Sequence, residues 1–358
     1  RSVNNINRVA STTEGSGQVN TFGYDANGDL TSQTNGLNQS TRWGLDNLRR
    51  VKTITNAANA SASLTRNGLD DVVQATDFKG VATSYGRDAL GNATSESSND
   101  HGGKNTQYDA LGLPSQIVDA LGQATQIQRD ALGRPTSLTF ADGKSTLLTY
   151  DLASTGAGYL SQIVDRSGTT NYTRDAFGRV SLKQQTLIGG QVQQVSYAYL
   201  ASGQLGSITY PSASVLSYIY DATGRLTRLD WNGAPLISAI TWNPMGQPTG
   251  WSWAFVTPSL AASRTYDTAG RLTATEFSSY VYNAAGRITS LTQQLFSPAD
   301  ADPSHNTIAV GNTTWNVSYD AVGRITGFDV SGGGDAASFG YDANGNRTSS
   351  TRVRAGQT

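Results

Sequence analysis

The chain has 358 residues, of which 15% are charged, and its net charge is −1 from 26 basic and 27 acidic residues. With no cysteine and two histidines, disulfides, thiol catalysis and zinc or iron–sulfur sites are not expected. The near-zero net charge predicts no general attraction to nucleic acid. No apolar run reaches the roughly 18 residues of a membrane helix, so no membrane insertion is expected. Because the first residue is Arg1 and not Met, we expect the chain to be a segment of a longer polypeptide.

A short phrase recurs along the chain: an aromatic residue, Asp, two variable residues, Gly, often Arg, and then an aliphatic residue. Clear copies lie at 24–28, 108–112, 220–226, 266–272, 319–325 and 341–346. Internal repetition of this kind indicates a repeat architecture.

The Asp position of this phrase recurs every 21 residues at first and less regularly later. The positions are 25, 46, 67, 88, 109, 130 and 151, and then 175, 200, 221, 243, 267, 283, 320 and 342. We predict one continuous array of fifteen units rather than separate domains. Residues 1–151 are its regular part, and residues 152–358 are less regular, with insertions near 184–195 and 297–311.

Each unit is predicted to contain two strands and two turns. A second turn, such as Asn35-Gly36 or Asp142-Gly143, lies about halfway through most units, and Asx-Gly pairs favour tight turns. Aromatic residues at i and i+2, such as Tyr218 and Tyr220, share one face of a strand. The aliphatic residues after the main turn fall at i and i+3, which indicates either a β-bulge or packing of the first one within the turn.

Fifteen such units amount to roughly 30 strands, and open twisted sheets rarely exceed about ten without curling or splitting. The sequence therefore predicts an all-β fold in which tandem hairpins form one long, curling antiparallel sheet. Such a sheet either surrounds a lumen or collapses into a two-layer fibre.

The phrase and its spacing resemble the YD repeat of the Rhs family, which also occurs in Tc-toxin shell subunits and teneurins. The resemblance covers residues 24–348 and implies a β-sheet wound into a hollow cocoon. In bacterial members it implies that the cocoon encloses a toxic C-terminal polypeptide, and in teneurins it implies cell-surface adhesion.

The sequence departs from that family in one respect that bears on chemistry. The Rhs core ends in phrases of the D-P-x-G type and carries aspartates linked to self-cleavage. Here Asp302-Pro303 is followed by Ser304 and His305, so no cleavage role is assigned to it. A toxin domain and a delivery module are also not recognisable.

The residues that could take part in catalysis or ligand binding are each better explained by a structural role. The repeated Asp is predicted to bond its own turn backbone. The segment that begins at Asp25 resembles the start of a calcium-binding loop, but it lacks the Gly at position six and the Glu at position twelve that such a loop needs. We therefore interpret it as a turn. The repeat arginines are expected to pair with these aspartates rather than with nucleic acid, and His101 and His305 are interpreted as turn residues.

Trp251 and Trp253 are the candidate ligand-binding residues. They share a face at i and i+2, so an exposed pair would stack on sugar rings, whereas a buried pair would fill the wall of the sheet.

We therefore expect a non-catalytic structural shell segment, without cofactor or metal, that encloses or carries a toxin-like polypeptide cargo. Its partners would be the remainder of a larger Rhs-type polypeptide and that cargo. It would be secreted, at the bacterial cell surface, or exported within a toxin-delivery particle. The alternative is an extracellular or cell-surface structural fibre, formed by self-association, or a carbohydrate-binding adhesion module.

Overall fold

The computed structural model describes residues 1–257, 259–297 and 308–354, and these residues form 32 β-strands. The only helical segment among them is a single 3-10 turn at Ser154–Gly156. No helix in this part of the chain has the length and apolar character needed to cross a membrane.

The strands of the first half are β1 Ser2–Val3, β2 Val9–Thr13, β3 Val19–Tyr24, β4 Leu30–Thr34, β5 Ser40–Leu45, β6 Val51–Thr55, β7 Ser61–Arg66, β8 Val72–Thr76, β9 Ala82–Arg87, β10 Ala93–Ser98, β11 Gly102–Tyr108, β12 Pro114–Val118, β13 Ala124–Arg129, β14 Pro135–Thr139, β15 Ser145–Tyr150 and β16 Leu160–Asp165. Those of the second half are β17 Gly168–Arg174, β18 Val180–Leu187, β19 Val192–Tyr199, β20 Leu205–Thr209, β21 Val215–Tyr220, β22 Leu226–Trp231, β23 Ala234–Trp242, β24 Pro248–Trp253, β25 Leu260–Tyr266, β26 Leu272–Thr275, β27 Ser278–Tyr282, β28 Ile288–Ser297, β29 Ile308–Tyr319, β30 Ile325–Val330, β31 Ala336–Tyr341 and β32 Arg347–Val353.

Successive strands pair in antiparallel register, and together they make up a 32-stranded sheet. Consecutive pairing runs from β1 to β8, from β10 to β23 and from β25 to β32. The prediction of an all-β fold built from tandem hairpins in one long antiparallel sheet is confirmed. Low proline content fits this arrangement, since each strand interior needs its backbone N–H groups for the ladder.

A β-bulge after most main turns explains the i, i+3 spacing of the aliphatic residues. Leu45 pairs with Val51, Gly44 pairs with Thr53 and Trp43 pairs with Ile54, so Lys52 is the extra residue. The bulge shifts the alternation by one, which brings Val51 and Ile54 to the same face. Of the two alternatives that the sequence leaves open, the bulge is the one the structure contains.

Two stretches of the later repeats form longer hairpins than the rest. Strands β18 and β19 have eight residues each and are joined by a turn at 187–191. Strands β28 and β29 have ten and twelve residues. The predicted insertion near 297–311, with His305 and Asp302, lies largely outside the described residues.

The chain divides into two compact units. Unit 1 comprises residues 1–83, 243–249 and 262–358, and unit 2 comprises residues 84–242 and 250–261. In both units the main turns lie at one end of the strands and the midway turns lie at the other, because hairpin turns alternate between the two ends of an antiparallel ladder.

Little of the sheet is buried. Among the described residues, Ala262 is the only apolar residue that is nearly inaccessible, at 4% exposure. The accessible surface of the chain is 21334 Å², about one and a half times the roughly 14,000 Å² expected for a compact monomer of this size. The apolar side chains therefore lie half-exposed on the sheet rather than inside a packed core.

Candidate functional surfaces of the sheet

The repeated Asp organises the backbone of each main turn. The Oδ1 atom of Asp25 accepts hydrogen bonds from the backbone N–H groups of Asn27 and Asp29, at 3.0 and 2.9 Å. The N–H of Gly28, which has a φ of 81°, donates to the carbonyl of Asp25 at 3.1 Å. A carboxylate used in this way fixes the turn and the left-handed glycine, so these aspartates are structural turn residues.

The repeat arginine ties one main turn to the next. Arg134 donates from Nε to Oδ2 of Asp130 at 2.7 Å and from Nη2 to Asp151 at 2.7 Å. Its guanidinium lies 4.3 Å from the ring centroid of Tyr150 in the following repeat. The predicted Asp–Arg pairs are thus present at several main turns.

The tyrosine hydroxyl completes this motif at the bulge. Tyr220 donates to the carbonyl of Leu205 at 2.9 Å, and Tyr150 donates to the carbonyl of Pro135 at 2.9 Å. Leu205 is the residue at which the register of β19 and β20 shifts. A bulge disrupts the hydrogen-bond ladder locally. The tyrosine hydroxyl of the next repeat donates a hydrogen bond to a backbone carbonyl at this position.

The two faces of the sheet differ in chemistry. Tyr218 pairs with Leu229, and Tyr220 pairs with Leu226, so rings and aliphatic side chains share one face. We call this the ring face. Ser217 and the other residues that alternate with these point to the opposite face, which is rich in small and polar side chains. The ring face is half-exposed in the described residues, so it presents an apolar surface that the chain itself does not cover.

A bulky apolar side chain occupies the third position of four main turns in unit 2, three of them successive; Leu48 and Leu69 hold the same position in unit 1, at 70% and 72% exposure. Leu90, Leu111, Leu132 and Phe177 are each between 71% and 84% exposed. We call these four residues the leucine edge. Large exposed apolar patches are uncommon on monomeric proteins, so the leucine edge is a candidate interaction surface.

In unit 1, by contrast, midway turns cover main turns that lie far away in sequence. Arg287 Nη2 donates to Gln39 Oε1 at 2.9 Å, and Asn344 donates to Asp77 at 2.5 Å. A Cβ added to Gly15 would lie 2.6 Å from the carbonyl oxygen of Thr268. We call this contact the seam.

Alanine stands at the third position of two main turns that the seam covers. Ala269 and Ala285 occupy the turn position that carries leucine or phenylalanine on the leucine edge. The seam turns that begin at Asp320 and Asp342 carry Val322 and Asn344 at this position.

The tryptophan pair predicted as a ligand site forms a small aromatic cluster in unit 2. The rings of Trp251 and Trp253 meet edge to face, with centroids 5.8 Å apart, and Trp253 meets Phe255 at 5.8 Å. Both tryptophans are half-buried, whereas Phe255 is exposed. Edge-to-face packing uses part of each ring inside the cluster, and ligand stacking at Trp251 and Trp253 stays a prediction.

His101 lies in a small charged cluster at the hairpin of β10 and β11. His101 lies 3.5 Å from Glu96, which also pairs with Lys104. In the described part of the chain, no group of three or more His, Cys, Asp or Glu side chains is placed to hold a metal ion.

Comparison with known proteins identifies the class of this sheet. The model of the family described as RHS Repeat matches residues 24–61, 108–145 and 199–235. The chain thus carries RHS repeats, as the resemblance in the sequence indicates. The comparison with curated proteins found no match.

Solved structures share the fold across 95% of this chain. The crystal structure of TcdB2-TccC3 superimposes with a TM-score of 0.71 at 14% sequence identity, and the chain spans 22% of that protein. The TcdB2-TccC3-Cdc42 structure gives a TM-score of 0.72 at 15% identity, again with 22% of that chain covered. A Tc holotoxin pore from Photorhabdus luminescens gives 0.70 at 14% identity, with 95% and 21% coverage. The chain therefore spans about a fifth of the length of these structural neighbours.

Two features of these surfaces are not predicted by the repeat pattern. The leucine edge is visible in the sequence as Leu at a fixed position of the D-x-L-G turns, but turn residues are expected to be polar. The seam joins residues about 250 to 280 positions apart, and no repeat pattern predicts which turns meet.

Proposed function

We propose that this chain is a non-catalytic wall segment of an RHS-repeat shell, whose ring face borders an enclosed polypeptide. The observation that carries the proposal is the half-exposed ring face of a sheet without a packed core. Burial of apolar surface drives association, so a cargo chain with exposed apolar side chains is the occupant that this face fits.

The two kinds of turn edge support a place within a larger polypeptide. In unit 1 the seam shows that midway turns of one set of repeats cover main turns of another. The leucine edge of unit 2 offers main turns that are not covered in this way. Further RHS repeats are the partner that matches this surface, and the shell would be exported in a particle or held at the bacterial cell surface.

Single-cysteine labelling tests the proposal, since the chain has no cysteine of its own. Tyr218→Cys places a thiol on the ring face, and Ser217→Cys places one on the opposite face as a matched control. In the full-length polypeptide, we expect a maleimide reagent to modify position 217 and to spare position 218, as read by peptide mass spectrometry. In the isolated chain both positions should react. Equal reaction at both positions of the full-length polypeptide would contradict enclosure at the ring face.

The aromatic cluster supports a second candidate, an adhesion module that binds glycans. Phe255 is 64% exposed and extends the cluster from Trp253. Trp251→Ala and Trp253→Ala should then each abolish binding on a glycan array, while Trp315→Ala, in a separate cluster with Phe328, should leave it unchanged. An array without signal for the parent chain contradicts this candidate, and polymers of the isolated chain in negative-stain images would favour a fibre.

A further inference from the structure

A cleft of about 590 Å³ lies within unit 1, along the seam. Midway turns contribute Asn35, Gln39, Asn56 and Phe78 to its wall, and main turns contribute Arg287 and Arg324. Its volume is in the range of small-molecule sites in proteins.

Arg287 differs from five other arginines at the last position of the main turn, four residues after its first residue; Arg225 is a sixth, which bonds to Asp221 through its backbone N–H. In five other turns, the Nε of this arginine donates to the aspartate four residues earlier, at 2.6–2.8 Å; these arginines are Arg50, Arg134, Arg179, Arg271 and Arg324. The turn of Arg287 begins with Asn283 instead of Asp. The Oδ1 of Asn283 accepts the turn N–H groups of Ala285 and Arg287, so the turn is kept while the charge partner is lost.

The guanidinium of Arg287 is therefore incompletely satisfied. It donates from Nη2 to Gln39 at 2.9 Å and lies 4.9 Å from the ring centroid of Tyr319. Its Nε is buried and has no hydrogen-bond acceptor among the described residues. An arginine carries five N–H donors and a permanent charge, and burying such a donor without an acceptor is costly.

The rest of the cleft favours an anion. Arg324 already pairs with Asp320 at 2.6 Å, which leaves the charge of Arg287 uncompensated. The described lining residues contain amide side chains and no carboxylate. Asn56 and Gln39 supply amide groups, and Phe78 supplies an apolar wall.

We propose that this cleft binds a small organic anion through a carboxylate held by Arg287. The planar guanidinium matches a carboxylate in a paired, charge-assisted geometry. Because Asn283 fills the position of the repeat aspartate, the incoming carboxylate would pair with the Nη groups of Arg287 on the side of the cleft. This inference does not depend on the enclosure of a cargo, because the cleft lies within unit 1 itself.

Calorimetric titration of the chain with citrate at low ionic strength tests the site. We expect saturable binding that Arg287→Gln weakens by roughly tenfold or more, since a charge-assisted pair is lost. Asn283→Asp should weaken binding similarly, because it supplies an internal carboxylate like that of the other turns and is compatible with their fold. Arg179→Gln, which removes a paired repeat arginine in unit 2, is the control and should leave citrate binding unchanged.

A glutamate-rich peptide forms the second arm of the experiment. Citrate binding that both Arg287→Gln and Asn283→Asp weaken supports a free organic acid as the ligand. Tighter binding of the peptide, weakened by the same variants, assigns the carboxylate to a polypeptide side chain. Absence of binding of either probe to the parent chain overturns the proposal. Binding that survives both Arg287→Gln and Asn283→Asp overturns it as well.

Discussion

At the scale of the residue, each member of the repeated phrase has one physical task. The aspartate holds the turn backbone, the glycine adopts the left-handed conformation, and the arginine joins two successive turns. The tyrosine satisfies a carbonyl at the preceding bulge. The motif therefore recurs because every hairpin must be connected to its neighbour in the same way.

Removing one tyrosine hydroxyl tests this role. Tyr220→Phe deletes the bond to the carbonyl of Leu205 and should lower the free energy of unfolding by about 1 kcal/mol, the typical value of one hydrogen bond. Tyr218→Phe is the control, because its ring lies on the same face while the structure shows no bond from its hydroxyl to another described residue. Urea denaturation followed by tyrosine fluorescence measures both, and equal losses would refute a specific role for Tyr220.

Acid should weaken the turns through their aspartates. The hydrogen bond from the Arg50 guanidinium lowers the pKa of Asp46 to about 2, from an ordinary value of 3.8. Because the folded pKa is depressed, the contribution of this pair is complete above about pH 4 and is lost as the pH falls towards 2. Arg134 and Arg179 likewise lower the pKa of Asp151 and Asp175.

We therefore expect the urea midpoint to be constant from pH 7 to about 5 and to fall below about pH 4. Asp46→Asn retains an acceptor for the turn N–H groups and should reduce the size of this fall. A midpoint that does not change down to pH 2.5 would show that these pairs do not contribute to stability.

At the scale of the element, hairpins with bulges are the unit of construction, and their turns form two chemically distinct edges. The seam brings a midway turn against a main turn so closely that only glycine fits at Gly15 and Gly36. The leucine edge has bulky residues at the corresponding main-turn position. Covered and exposed turns therefore both occur along the sheet.

A glycine substitution in the seam should be destabilising for steric reasons. Gly15→Ala places a Cβ against the carbonyl oxygen of Thr268, and we expect a loss of about 1–3 kcal/mol, as for overpacking elsewhere. Gly68→Ala is the control, since an added Cβ there meets nothing within 4 Å. Thermal denaturation followed by circular dichroism compares the two, and equal melting temperatures would contradict the close contact.

At the scale of the whole molecule, stability accumulates between neighbouring hairpins instead of arising from a buried core. Contacts within a repeat array are mostly between adjacent units, and the accessible surface of 21334 Å² reflects this. Apolar surface therefore remains at the ring face and at the leucine edge. Both surfaces support the proposal that the chain works as part of a larger assembly.

The leucine edge should cause isolated chains to associate. Replacing Leu90, Leu111 and Leu132 together with asparagine should shift the chain towards a monomer in sedimentation velocity experiments. Since these side chains are exposed, each replacement should change the free energy of unfolding by no more than about 0.5 kcal/mol. Association that persists in the triple variant would show that another surface is responsible.

The sequence by itself determined the repeat unit, the strand-and-turn pattern and the all-β class, because turn chemistry and strand alternation are local. The sequence left two explanations for the i, i+3 spacing of Val51 and Ile54: a β-bulge, or packing of the first aliphatic residue within the turn. Trp251 and Trp253 could be placed on a shared strand face, but their edge-to-face packing depends on rotamers that a pattern does not specify.

Only the tertiary structure decided which edges meet and which stay open. Gln39 and Arg287 are brought together by the path of the sheet over more than 200 residues, and small changes in twist at each strand pair accumulate over such a path. The cleft at Arg287 exists for the same reason. The sequence shows that Asn283 replaces the repeat Asp. Whether this leaves Arg287 available to a ligand depends on which turn the path of the sheet places opposite it.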